Sequence, residues 1–524
     1  MFRFAIGLGL SLLIASGCGD PKDPATWIKK LRDVTKPSAA MPTGARFSVE
    51  AVRKLQELGD ASAVPALIDL YKDHQHPIIL RALISFKDKR AVPTLIGALD
   101  FSEDQYRNAT LAASALADLG ATEAVGPMSK VLQRPLPIKS RANLAKLATI
   151  RALAKLGDKG AVPELIATLE RRPEQQDFLL AKEAATALGQ IGDPQAVPVL
   201  IRGLYMSSTI QGSAYPHARV ALVQIGRPAV QPLVAAMEGR DEKLNTMAKE
   251  LEFRPGVLEQ KAAMVLGDIG DATAVPALLK QLAKYDLTET KAAGTIEALG
   301  KIGDKSAVEA LIKVLTDKKA NYKLRIQVCQ ALTVIGDKRA LGPLLEIAEK
   351  GFIEGGYTNL REGAAMAYGR IVGAEAVEGI KKLEAFVNED KIKAFKQTQA
   401  TFQEAVDRAK IAVECKDDPL CYGKQVNNAK LSLAQREKAG IMIGILPNGR
   451  AALADLVKAL PNREPILRLF FLESAKRIGK ASDKALVDTL TELAAKDSKR
   501  KTKFLGADLA SADKIALAIV LRNK

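Results

Sequence analysis

Aromatic residues are scarce: they make up 5% of the 524 residues, with a single Trp. A core built on large rings is thereby excluded. Ala, Leu, Ile and Val must carry the interior, which suits thin helices packed closely. Histidine is scarcer still, with three in the chain: His74, His76 and His217. His74 and His76 could offer two metal ligands, but no further ligands complete a site, and His76 precedes Pro77, as in a loop. No G-x-S-x-G, H-E-x-x-H or G-x-x-x-x-G-K-[ST] occurs, so the nucleophile elbow, the zinc-protease helix and the phosphate loop are missing. The expectation is no catalytic residue, no metal and no cofactor, with a small-molecule substrate disfavoured.

What is present is a repeat. G-D-K-G-A-V-P-E-L-I stands at 157–166, with close copies at 59–68, 192–201, 270–279 and 303–312 and looser ones elsewhere. Aligned on Val64, Val92, Val125, Val162, Val197, Val230, Val275, Val308, Leu341 and Val377, the steps are 28, 33, 37, 35, 33, 45, 33, 33 and 36 residues. A period in that range marks a solenoid. In one unit, Val162, Leu165, Ile166 and Leu169 follow helical spacing, with Pro163 in the first turn, where no amide is needed. Leu180, Ala184, Ala187, Leu188 and Ile191 line a second helix. The expected helix ends are Gly157, Gly192, Gly270, Gly303 and Gly336, and the expected caps of the next helices are Asp158, Asp193, Asp271, Asp304 and Asp337. An acid that recurs in every unit suits a cap, not a catalyst. Ala and Gly in the second helices allow close backbone approach. The fold class is therefore all-α, an α-solenoid of paired antiparallel helices.

The second-helix ending followed by the turn, A-L-G-Q-I-G-D-P-Q-A-V-P-V-L-I at 187–201 and V-L-G-D-I-G-D-A-T-A-V-P-A-L-L at 265–279, resembles HEAT repeats of the phycobilisome-lyase-like type. The resemblance covers about 50–380. It implies a HEAT/armadillo-like superhelix and a protein-interaction role. The subtype's name also brings in a chromophore-lyase-like enzyme, which would need a pocket of convergent polar groups that the sequence does not display.

At the N-terminus, Arg3 precedes an apolar run, Phe4 to Ala15, too short and too early for an ordinary membrane span. Ala15-Ser16-Gly17 before Cys18 resembles the lipobox of bacterial lipoproteins. That resemblance implies lipidation of Cys18, and Gly19 leans towards the outer membrane. The alternative is an ordinary cleaved signal with an incidental Cys. Of the other cysteines, Cys415 and Cys421 bracket the turn-like K-D-D-P-L, and export favours a local disulfide over free or metal-bound thiols. Cys329, on the apolar face of Q-V-C-Q-A-L, reads as a small buried residue.

The charge is +17, from 77 Lys and Arg against 60 Asp and Glu. In the cytoplasm this would raise nucleic-acid binding; export argues against it and leaves anionic lipid, lipopolysaccharide or an acidic protein face. The Arg and Lys of second helices (Arg151, Lys182, Arg219, Lys261, Lys291, Arg325, Arg361) stand at variable offsets from the turn, so no regular basic ladder is expected, only a basic surface.

The chain divides into a signal peptide (1–17), a tether with an N-terminal capping helix around Trp27 (18–46), the repeat solenoid (47–380), a divergent helical insert holding Cys415 and Cys421 (381–430) and divergent helix pairs with a cap near 506–521 (431–524). The stretches 207–217 and 240–256 read as long loops. The expected function is a non-enzymatic, lipid-anchored scaffold of the bacterial cell envelope. It would hold a protein partner on the concave surface made by its second helices and meet the membrane through its anchor. The alternative is binding of anionic lipid or lipopolysaccharide by a basic face.

Overall fold

The structure, a computed structural model, describes residues 20–33, 47–99, 102–350, 358–375, 377–388, 396–462, 464–497, 503–504 and 507–523. The expected signal peptide, 1–17, and Cys18 lie outside the described residues. The fold is an all-α solenoid of paired helices, with two short hairpins among the described residues. It falls into two compact units, Met1–Ala187 and Leu188–Lys524.

The repeated turn is a joint with three parts. Gly157 ends Asn143–Leu156 at φ 68°, where a Cβ would be strained, and its N–H bonds to Leu153 O at 3.1 Å. Asp158 then accepts the Gly160 N–H at 2.7 Å. It caps a single 3₁₀ turn, Lys159–Ala161, and the α-helix starts only at Val162. Gly192, Gly270, Gly303 and Gly336 are likewise left-handed. Asp193, Asp271, Asp304 and Asp337 each accept the N–H two residues on, at 2.7–2.9 Å. The Asp therefore opens the following helix through an intervening turn and not directly.

Second helices pack against one another along each unit. Gly267 and Gly300 show why small residues stand there. A Cβ at Gly267 would lie 2.6 Å from Ala298 Cα, and one at Gly300 2.7 Å from Ala331 Cα. The helix axes are close enough that hydrogen is the only side chain with room.

In the first unit the row of second helices is Val49–Leu58, Pro77–Ser85, Tyr106–Asp118 and Asn143–Leu156. Pro24–Lys30, capped by Asp23, packs on Val49–Leu58. Trp27 is half-buried and donates to Pro21 O at 2.9 Å.

In the second unit the row is α1 (Tyr215–Ile225), α2 (Val257–Ile269), α3 (Ala293–Ile302), α4 (Tyr322–Ile335), α5 (Thr358–Ile371), α6 (Lys396–Cys415), α7 (Leu433–Ile445), α8 (Pro465–Ile478) and α9 (Leu509–Arg522). Each packs on the next, and α9 packs back on α1. The row is a closed ring. Three expectations change with it. Residues 381–430 are no insert: Val377–Val387 and α6 form a further pair, with α6 between α5 and α7. The last helix does not cap an open end, because α9 buries Leu509, Ile515, Ala516, Ala518 and Val520 against neighbours that include α1. Within 240–256, Glu242–Glu250 is a helix capped by Asp241 and pinned by fully buried Leu244. The 207–217 stretch is a hairpin, Ser207–Ser208 with Gly212–Ser213, that runs into α1.

Candidate functional site

Ring closure brings side chains of the second unit's later helices onto the ends of its earlier ones. Cations from the C-terminal helices reach the carbonyl ends of earlier ones. Arg522 of α9 donates to Ile269 O at 2.8 Å, at the end of α2. Arg477 of α8 donates to Val334 O in α4. Lys438 of α7 donates to the carbonyls of Arg370 and Val372 at 2.5 and 2.6 Å, at the end of α5. The last carbonyls of a helix have no internal donor and carry partial negative charge, so a cation there supplies both needs. Burial, reinforced by nearby Arg408, pushes the Lys438 pKa down to about 7. Phe470 of α8 lies under the Arg370 guanidinium, 4.7 Å from ring centre to charge centre.

Buried ion pairs complete this interior. Asp268 of α2, 3% exposed, takes Arg219 of α1 and, at 3.1 Å, Lys301 of α3. Burial alone would raise its pKa, but Lys301 and Arg219 outweigh burial and hold it at about 2. Glu437 of α7 pairs with Arg370 and, at 3.0 Å, with Arg408 of α6. Arg468 of α8 lies between Asp497 and Asp513 of α9; burial first, then Asp497, raises Asp513 to about 6 against the pull of Arg468. These groups bind the ring to itself.

Several second-helix cations expected on a basic surface also turn inward. Arg325 donates to Leu315 O at 2.7 Å, and Arg361 to Ala348 O and Glu349 O at 2.7 and 3.0 Å. Lys261 donates to Leu204 O at 2.8 Å and lies over the Tyr205 and Tyr215 rings. In the first unit, Lys146 does the same for Leu132 O at 3.0 Å. Each reaches back to the last carbonyls of an earlier first helix. Arg325 and Arg361 are 8% and 2% exposed, so the expected basic surface loses them.

The first unit keeps an open face. Tyr106–Asp118 and Asn143–Leu156 flank a groove of about 600 Å³. Along the second helix, Leu144, Leu147, Ala148, Arg151 and Lys155 share one stripe, because 144, 147, 148, 151 and 155 follow helical spacing. The opposite stripe of that helix, with Ala145, Ile150 and Leu153, is the core. The helix is therefore apolar on two sides: one is the core, and the other is half-buried at Leu147 and Ala148 and open at Leu144. Leu144 is 54% exposed. Leu111 adds to the floor from the neighbouring helix, and Arg81 and Arg107 stand at the rim. Lys155 pairs with Asp118 at 2.6 Å, Arg151 with Glu183 at 2.8 Å, and the Arg107 guanidinium lies 5.9 Å from the Tyr106 ring centre. The groove can bury apolar side chains and attract negative charge at its edges.

The other sequence candidates are placed as follows. His76 Nδ1 accepts the Ile78 N–H at 3.2 Å and caps Pro77–Ser85, and both His74 and His76 pack on the Phe47 ring. Among the described residues no group of three or more His, Cys, Asp or Glu could hold a metal, and no single helix is long and apolar enough to cross a membrane. Cys415 and Cys421 are disulfide-bonded. Cys329 is 1% exposed, and burial pushes its thiol up to about 12. Ile210, at the tip of the 207–213 hairpin, is 92% exposed.

A family model for HEAT repeats matches residues 138–210, 247–320 and 286–355. No curated protein matches the chain. Among solved structures, the chain is similar to Kap121p, at 11% identity over 94% of this chain and 60% of that one, with a TM-score of 0.48. The chain thus spans about 60% of the length of that protein. It is also similar to human deoxyhypusine hydroxylase in complex with glycerol, at 21% identity over 53% of this chain and 94% of that one, TM-score 0.21. The complex of CpcE and CpcF of phycocyanin lyase from Nostoc sp. matches at 21% identity over 54% of this chain and 94% of that one, TM-score 0.25. At these identities the likeness concerns the fold alone.

Proposed function

We propose that this HEAT-repeat solenoid is a non-enzymatic scaffold, anchored by lipid at Cys18 to the bacterial cell envelope, that holds a protein partner on the second-helix face of its first unit. One observation carries the reading: an apolar stripe left partly uncovered by the fold, exposed Leu144 with half-buried Leu147 and Ala148, lies in an open groove rimmed by cations. Exposed apolar surface with a polar rim is what a docking site requires. The second unit also holds an open space, about 440 Å³ beside Asp268, Lys301 and Arg522, but its lining is mostly charged, so it is less suited to bury apolar side chains. The surface assigned is accordingly the first unit's groove, narrower than the whole concave surface expected from sequence.

The test compares full-length wild type with Leu144→Asp in retaining proteins from envelope extracts of the source bacterium. The reading expects a discrete set retained by wild type and lost with the variant. Equal retention by both would remove the groove from the function. The anchor is tested separately: Cys18→Ser should abolish labelling by a radioactive fatty acid and release the chain from membranes. Labelling that persists in the variant would refute lipidation at that residue.

One observation favours a second reading, binding to anionic envelope lipid. Ile210 projects from the hairpin almost fully exposed, on a chain of charge +17. This reading expects salt-sensitive co-sedimentation with anionic vesicles, weakened by Ile210→Asp. Binding that ignores both salt and Ile210 would remove it.

A further inference from the structure

We infer that the groove of the first unit receives a short amphipathic helix with acidic flanks. The inference rests on the scaffold reading and names the chemistry of the partner. Shape is the first argument. Both walls are helices, Tyr106–Asp118 and Asn143–Leu156, whose backbone groups are largely bonded within the helix. An added strand would need free N–H and C=O groups along the rim, so this site must bind through side chains. A trough between two packed helices matches the ridge of a third. Its volume, about 600 Å³, lies in the range of sites that bury a few apolar side chains.

Charge is the second argument. The lining holds Arg81, Arg107, Arg151 and Lys155 against Asp118 as its single carboxylate. Lys155 is held by Asp118 and Arg151 by Glu183, while Arg81 has no carboxylate partner among the described residues. An acidic flank gains contacts at this rim, and a basic one is repelled.

The probe is a phage-displayed library of random peptides of about 16 residues, ~24 Å long as a helix, selected against the full chain. Enriched peptides are then synthesised and titrated by fluorescence anisotropy. The expected winners carry apolar residues at i, i+3, i+4 and i+7 with Glu or Asp flanking them. Their Kd should rise by about tenfold or more with Leu144→Asp and with Arg107→Glu/Arg151→Glu, and should weaken with salt. Leu144 is more than half exposed, so Leu144→Asp should fold normally, which far-UV circular dichroism and Tm check. Enrichment of basic or Pro-rich extended sequences, or no enrichment that depends on Leu144, overturns the inference. Acidic helical peptides that fail to displace envelope proteins held through Leu144 would sink the inference and leave the scaffold standing. Envelope proteins retained equally by Leu144→Asp would sink the scaffold reading of the groove itself.

Discussion

Two effects of opposite sign compete at Gly267 and Gly300, and geometry decides between them. In a helix interior, Gly→Ala stabilises by up to ~1 kcal/mol through backbone entropy. At Gly267 the new Cβ would stand 2.6 Å from Ala298 Cα, and at Gly300 2.7 Å from Ala331 Cα. Carbon atoms prefer ~3.5–4 Å, so each pair of helices must separate by about 1 Å along a packed joint. Overpacking of this kind costs ~1–3 kcal/mol. The groups struck are backbone carbons, which cannot rotate away, so the upper half of that range applies and the clash outweighs the propensity gain. Gly267→Ala and Gly300→Ala should each destabilise by ~1–2 kcal/mol net. Gly363 provides the control: it is buried in α5, but its Cβ would meet only Ile326 Cγ2 at 3.7 Å and Cys329 Cβ at 3.9 Å. Gly363→Ala should stabilise by ~0.5–1 kcal/mol. Urea unfolding followed by circular dichroism measures all three. If Gly267→Ala and Gly300→Ala stabilise as Gly363→Ala does, the joints are not in the close contact described, and the account of the solenoid's packing fails.

Three further perturbations probe the ring. Asp268→Asn takes the shared carboxylate from part-buried Arg219 and Lys301, of which Lys301 keeps Glu297 at 2.6 Å, and should cost ~1.5–3 kcal/mol; a loss under 1 kcal/mol by urea unfolding would mean the cluster is open to water. Asp513 is raised from 3.8 to about 6, so the folded chain holds a proton that the unfolded chain releases over that window. Stability then falls as pH rises from about 4 to 6 and stays reduced above it. Asp513→Asn should therefore exceed wild type by at most ~3 kcal/mol at neutral pH, with the difference gone by about pH 4; a constant difference across that range contradicts the shift. Reduction of Cys415–Cys421, six residues apart, should lower stability by ~2 kcal/mol by the chain-entropy model, and an unchanged unfolding midpoint with and without reductant would show that the bridge does not constrain the unfolded chain.

The sequence conveys what is local and repeated. Gly157 and Asp158 act within a few residues of themselves, so their period shows both the joint and the solenoid. The intervening 3₁₀ turn is hidden, because an Asp that accepts an N–H two residues on has the same signature in either setting. Ring closure has no local signature at all. Arg522 and Ile269 are 253 positions apart, and Arg477 and Val334 143 apart. The acceptors are backbone carbonyls, which every residue carries. For the same reason Arg325 and Arg361 look like surface cations in the sequence. The helix Glu242–Glu250 was legible in principle, since Leu244, Met247 and Leu251 follow helical spacing after Asp241. Their dilution among charged residues, together with the break in the repeat period, points instead to a loop. The groove also had a signal. L-A-K-L-A-T-I-R-A-L-A-K at 144–155 is apolar on two sides, more than one core contact needs. Which side faces the core depends on neighbours that only the fold supplies.

The central claim is that a partner docks in the first unit's groove and not within the second unit's ring. A photo-crosslinking amino acid placed at Leu144, and in a parallel strain at Phe470, tests it in intact cells that express the chain. The account predicts discrete protein adducts from position 144, and crosslinks only within the chain from position 470. Protein adducts from 470 with none from 144, or lipid as the sole adduct at 144, would contradict it.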